Sequence, residues 1–142
     1  MFSTKFICAA REYSTLTERV PAPALRRTFT VDGAVKHASV TVCGLGFYEL
    51  WLNGERLTKG LLAPYISNPD DILYYDTYDV SGALREGKNV FALLLGNGML
   101  NCPGGDIWDF QKARYRSAPK LALSFEADTE RGAIAIEADE AF

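Results

Sequence analysis

YELWLNGERL (residues 48–57) and ILYYDTYDVSGALREGKNVFALLLGNG (residues 72–98) decide the fold of this chain. In the first stretch the apolar Tyr48, Leu50 and Leu52 alternate with Glu49 and Trp51. That is the period of two by which a β-strand buries one face. Asn53-Gly54 then supplies two residues tolerant of positive φ, as a type I′ hairpin turn demands, so residues 55–57 are expected to return antiparallel. In the second stretch residues 73–79 read as a strand. The Asp79 carboxylate is placed to accept a backbone N–H and open a single helical turn, with Val80 and Leu84 on one face. Gly87 stops that turn. Residues 90–95, Val-Phe-Ala-Leu-Leu-Leu, form a nearly continuous apolar run of strand length, which predicts a central strand covered on both sides.

Outward from this centre the pattern repeats. Residues 1–24, with Pro21 and Pro23 and little periodicity, are expected to be an irregular lead-in to a sandwich domain over 25–142. A strand is predicted near 25–31, a turn at Asp32-Gly33, and a second strand over 38–43 with Ala38, Val40 and Val42 inward. The single histidine, His37, falls in the predicted turn. Gly44 and Gly46 permit a sharp bend. Residues 58–72 read as a loop, 96–118 as the longest irregular stretch, 119–126 as a strictly alternating strand with Leu121, Leu123 and Phe125 inward, and 132–137 as a last strand. No helix of ordinary length is readable. Many short strands separated by turn signals predict an all-β fold, an antiparallel β-sandwich.

The order of these elements, with YELWLNG (48–54), Leu62-Ala63-Pro64, YDTYDVSGALREGKN (75–89) and LLLGNGM (93–99), resembles the N-terminal β-sandwich of bacterial α-L-rhamnosidases. It resembles more distantly the galactose-binding-like jelly-roll domains of β-galactosidases. The likeness covers roughly residues 20–138. Met99 stands where the family commonly has Trp. The resemblance implies a jelly-roll fold and a parent enzyme that releases terminal L-rhamnose with inversion. It places the acid and base in a downstream α/α barrel, the partner of this domain. Residues 138–142 match a segment after which the family continues into further strands. The chain is therefore expected to be an inactive fragment with an open sheet edge through which it could dimerise.

Composition bounds the alternatives. The 142 residues carry 15 Lys and Arg against 18 Asp and Glu, a net charge of −3 with the basic residues scattered. No electrostatic footprint for nucleic acid is present. No apolar run approaches the roughly 18 residues of a membrane span, so no membrane partner is expected. Cys8, Cys43 and Cys102 are odd in number and widely spaced, which points to reduced thiols, a cytoplasmic setting and no thiolate metal site. The start is too short in apolar residues for a secretion signal.

Glycoside hydrolysis by inversion needs two carboxyl groups about 6.5 to 9.5 Å apart. Asp70 with Asp71, or Asp106 with Asp109, could pair, but loop aspartates mostly serve turns, and no catalytic residue is assigned. No cofactor is expected. Calcium would have to use Asn68, Asp70 and Asp71, or Asn101 and Asp106, without any fixed-spacing loop to recommend them, and no metal is assigned. Binding is the stronger expectation. Trp108, Phe110 and Tyr115 are interleaved with Asp106, Asp109 and Arg114 in the 96–118 loop, and Tyr65 lies in the other long loop. These seven are the candidate residues for contacting a carbohydrate such as a rhamnoside or for docking the catalytic domain, with plugging of the sandwich end as the alternative for Trp108 and Phe110. Two rival functions remain: an independent carbohydrate-binding module, or a structural docking domain of another glycoside hydrolase such as a β-galactosidase-like enzyme.

Overall fold

The computed structural model describes residues 5–104 and 107–142. Within them run β1 (Ala24–Val31), β2 (Val35–Leu45), β3 (Phe47–Leu52), β4 (Glu55–Arg56), β5 (Asp76–Asp79), β6 (Gly87–Gly96), β7 (Lys120–Thr129) and β8 (Gly132–Glu137). Antiparallel pairing joins them into two four-stranded sheets, ordered β1-β6-β3-β4 and β5-β2-β7-β8. This is the all-β antiparallel sandwich that the alternation predicts, of the jelly-roll kind that the resemblance implies. Its core is the space between the two inner faces. Leu50, Leu52, Leu93 and Leu95 of one sheet meet Val40, Val42, Leu121 and Leu123 of the other, all buried. At one end Phe29, Phe91 and Phe125 form an aromatic cluster with ring centroids 5.0 to 5.3 Å apart.

Three expectations are corrected. β6 is an interior strand, but it is covered on one face only: Phe91, Leu93 and Leu95 are buried while Leu94 is 40% exposed. A continuous apolar run favours a strand through its shape on the pleat, yet burial on the second face needs another layer, and among the described residues none lies there. The strand expected over residues 73–79 begins only at Asp76, because pairing with β2 stops at the Val42–Asp76 register. Leu73, Tyr74 and Tyr75 are left exposed. His37 is an exposed residue of β2 beside a register irregularity, not part of a turn, because β2 reaches back to Val35 to pair with the end of β7.

The turns are held by side chains. Asn53 (φ 55°) and Gly54 (φ 89°) make the predicted hairpin. The Asn53 amide also reaches across to the next turn: its Oδ1 accepts the Val90 N–H at 3.0 Å, and its Nδ2 donates to Ala83 O at 2.9 Å and to Asn89 Oδ1 at 2.8 Å. Asn89, fully buried, donates to Arg85 O and Gly87 O and accepts the Arg85 N–H. A buried amide is tolerated because its hydrogen-bonding capacity is met in this way. Asp79 caps its turn as predicted, accepting from Ser81 N at 2.9 Å and Ser81 Oγ at 2.6 Å, which holds its carboxyl below the ordinary aspartate range.

Candidate functional site

At the end of the sandwich where β2 gives way to β3, Gly46 (φ 93°) turns the chain so tightly that a Cβ there would lie 2.2 Å from the Gly96 carbonyl oxygen. Only a glycine permits that approach of backbone to backbone. Gly44, just before it, leaves room for the Tyr48 ring, whose Cδ1 would be 2.6 Å from any Cβ at that position.

Tyr48 is the pivot of this end. Its N–H donates to Ala63 O at 2.8 Å. Its hydroxyl donates to Asp76 Oδ2 at 2.6 Å and shares a hydrogen bond of 2.9 Å with the Tyr78 hydroxyl. One residue therefore ties both ends of the 63–76 segment to β3. Burial, reinforced by the hydrogen bond to Asp76, pushes the Tyr48 phenol far above the ordinary tyrosine range. Tyr78 is raised as well, chiefly by burial. Cys43 beside them is pushed up to about 11 by burial and then by the Asp76 carboxylate. Such a thiol stays protonated and is not a nucleophile.

Above this floor the 63–76 segment and the 96–118 loop flank a cleft of about 80 Å³ lined by Phe47, Tyr65, Leu73, Tyr74, Leu100 and Tyr115 among others. Binding pockets for small molecules run to about 300 Å³ or more, so this cleft takes one side chain, not a sugar ring. Among the described residues no carboxylate lines it. Its rim is apolar and open: Tyr65 is 86% and Ile66 66% exposed, and Met99, also lining it, is exposed. Leu61, Leu62, Ile72 and Tyr75, adjoining in the chain, are exposed as well.

The predicted site residues divide between two places. Tyr65 and Tyr115 meet at the cleft. Arg114 Nε lies 3.5 Å from Asp70 Oδ2, an exposed ion pair bridging the two flanking loops. Trp108, 69% exposed, stands outside the core and stacks on Phe110 with centroids 6.0 Å apart and planes 6° from parallel, away from the cleft. Asp109 takes a left-handed conformation (φ 45°) at the start of a short 3₁₀ turn, Phe110–Lys112, and accepts from Gln111 Nε2 and Lys112 Nζ. Asp106 lies outside the described residues.

The oxygen donors considered for calcium are engaged within the chain: Asn68 Nδ2 donates to Asp71 Oδ2, Asn68 Oδ1 accepts the Asp70 N–H, and the Asn101 amide bonds to Ser14, Glu12 and Asn97. Among the described residues no group of three or more His, Cys, Asp or Glu gathers as a metal would require. Sequence reasoning missed the cleft walls at Leu73 and Tyr74 because it spent them on a strand. Four apolar residues in a row, Ile72 to Tyr75, were the signal, since an edge strand with one wet face should alternate.

Comparison with known proteins gives one consistent family. The α-L-rhamnosidase N-terminal domain matches residues 33–142. An α-L-rhamnosidase of Formosa agariphila is 38% identical over 95 residues, covering 62% of this chain and 10% of that protein. The solved α-L-rhamnosidase of Dictyoglumus thermophilum superposes with a TM-score of 0.75 at 29% identity, over 96% of this chain and 16% of that one. The α-L-rhamnosidase of Streptomyces avermitilis, solved with L-rhamnose, superposes with a TM-score of 0.72 at 28% identity, over 86% and 12%. The chain thus spans about a tenth of the length of the curated relatives it matches.

Proposed function

This chain belongs to the family of α-L-rhamnosidase N-terminal domains, and on that premise we propose that it is a non-catalytic domain of a longer glycoside hydrolase. That enzyme removes terminal α-L-rhamnosyl groups with inversion, and this domain docks on the rest of its polypeptide. The observation that carries the reading is the open apolar face around the cleft, where Tyr65, Ile66, Leu73, Tyr74 and Met99 stand together in water. An exposed apolar surface of this kind is costly to leave uncovered, and tyrosine with methionine is the composition of an interface core. The cleft suits one anchoring side chain from a partner. The carboxylates of the two flanking loops support a non-catalytic role: Asp70 is paired with Arg114 and Asp109 with Lys112, rather than held free across a sugar-sized gap.

The test uses both the chain alone and the longer enzyme. Alone, the chain should release nothing from an aryl α-L-rhamnoside and show no saturable binding of L-rhamnose. Leu73→Glu should leave its melting temperature unchanged. In the longer enzyme the same substitution should open the domain junction to limited proteolysis and lower rhamnoside turnover. Hydrolysis by the chain alone that vanishes with Asp109→Asn would show the docking reading wrong. Saturable rhamnose binding that vanishes with Trp108→Ala would replace it with a carbohydrate-binding module built on the stacked Trp108 and Phe110.

A further inference from the structure

Residues 12–20 carry no strand, and the family match begins only at residue 33, yet this segment is fastened to the cleft loop by a closed set of hydrogen bonds. The Ser14 N–H donates to Asn101 Oδ1 at 3.1 Å. Asn101 Nδ2 donates to Glu12 O at 3.3 Å and to Asn97 Oδ1 at 2.9 Å. Asn97 Nδ2 donates to Val20 O at 2.7 Å, and the Val20 N–H returns to Ser14 Oγ at 3.1 Å. From the other arm of the loop, Arg116 Nη2 donates to Ser14 O at 2.6 Å, and its guanidinium sits 4.8 Å over the Tyr13 ring. Ser14 and Asn101 are each 1% exposed, so neither can exchange these partners for bulk water.

The residues that hold the segment are neighbours in sequence of those that line the cleft. Asn101 follows Leu100, Arg116 follows Tyr115, and the two arms are joined by the Ser117 N–H to Leu100 O. We propose that residues 12–20 act as a positioning strap, in which Ser14 bound to Asn101 and Arg116 sets the place of the Met99–Leu100 and Tyr115 walls of the cleft. Taking the strap away would deprive the buried Asn101 Oδ1 of its donor and Arg116 Nη2 of its acceptor, leaving the Asn101 amide only its bond to Asn97, and the loop would have to rearrange to hydrate them. The coupling is reciprocal: whatever loosens the strap loosens the walls, and the reverse. Only the purpose of the held loop rests on the docking reading; the coupling itself is a property of this chain.

Hydrogen exchange on the whole 142-residue chain tests it. Ser14→Ala removes the acceptor that closes the strap on Val20. It should speed exchange of amides in residues 97–101 and 113–117 by about fivefold or more, the order set by one lost hydrogen bond. Amides of β2, β6 and β7 should keep their rates. Asn101→Ala should speed exchange across residues 12–20 in the same way. Should that variant not fold, Arg116→Lys, which keeps the charge and the stem but not the fork, gives the same readout. Faster exchange confined to the mutated side would overturn the proposal. So would a uniform rise through β2, β6 and β7, which would make the segment ordinary core. Turnover by the longer enzyme reports on docking and exchange on the strap, so failure of one is told from failure of the other.

Discussion

The sandwich interior and the cleft rim are built from the same apolar residue types and meet opposite fates. Between the sheets Leu50, Leu52, Leu93, Phe91 and Phe125 recur at every second position, and each is 2% exposed or less. At the rim Leu61, Leu62, Tyr65, Ile66 and residues 72–75 follow no period, and all are exposed. Hydrophobicity alone does not say what a chain buries for itself. Alternation does, because a sheet has one inner face and only residues two apart share it. At the rim the apolar residues outside that rhythm stay exposed.

The contrast is easiest to break in the core. Phe91→Ala removes the ring packed against both Phe29 and Phe125 and should cost about 3 to 5 kcal/mol in denaturant unfolding. A loss as small as that of a rim variant would erase the distinction. Tyr48→Phe keeps the ring and deletes the hydroxyl that binds Asp76 and Tyr78, for an expected loss of about 1 to 3 kcal/mol. Because folding raises the Tyr48 ionisation, its stabilisation is complete below about pH 10, where an unfolded tyrosine titrates, and fades as pH rises further. Unfolding midpoints followed into alkali should therefore fall more steeply for the native chain than for Tyr48→Phe.

Asp79 works in the opposite direction. Its carboxyl is held below the usual range by Ser81, so its contribution is present above about pH 4 and lost as pH falls through the folded value. Asp79→Ala should lower the urea midpoint at neutral pH and narrow the gap from the native chain in acid. The smallest effect belongs to the rim and its neighbour loop. Trp108→Ala and Tyr65→Ala, removing side chains 69% and 86% exposed, should each shift stability by about 0.5 kcal/mol or less. A loss of several kcal/mol at Trp108 would make it part of the core after all.

The sheet-forming stretches were legible because their signals are local. Alternation placed Tyr48, Leu50, Leu52, Leu121, Leu123 and Phe125 inward, and Asn53-Gly54 and Asp79 specified their turns through φ preference and short side-chain hydrogen bonds. Of the site, Tyr65 and Tyr115 could be named from sequence, but not that they line one cleft, since they come from loops far apart in the chain. Local chemistry is read within a few residues of itself, and for that reason the strands, the hairpin, the capped turn and the sandwich class follow from the order of amino acids. Contacts across long separations decided the rest. The one-sided burial of β6, the late start of β5, the pairing of Tyr48 with Asp76, and the hold of Asn101 and Arg116 on Ser14 each depend on which backbone lies opposite. Only the closed packing of two sheets settles that, because a side chain's partner is fixed by where the whole chain has folded and not by its neighbours in sequence.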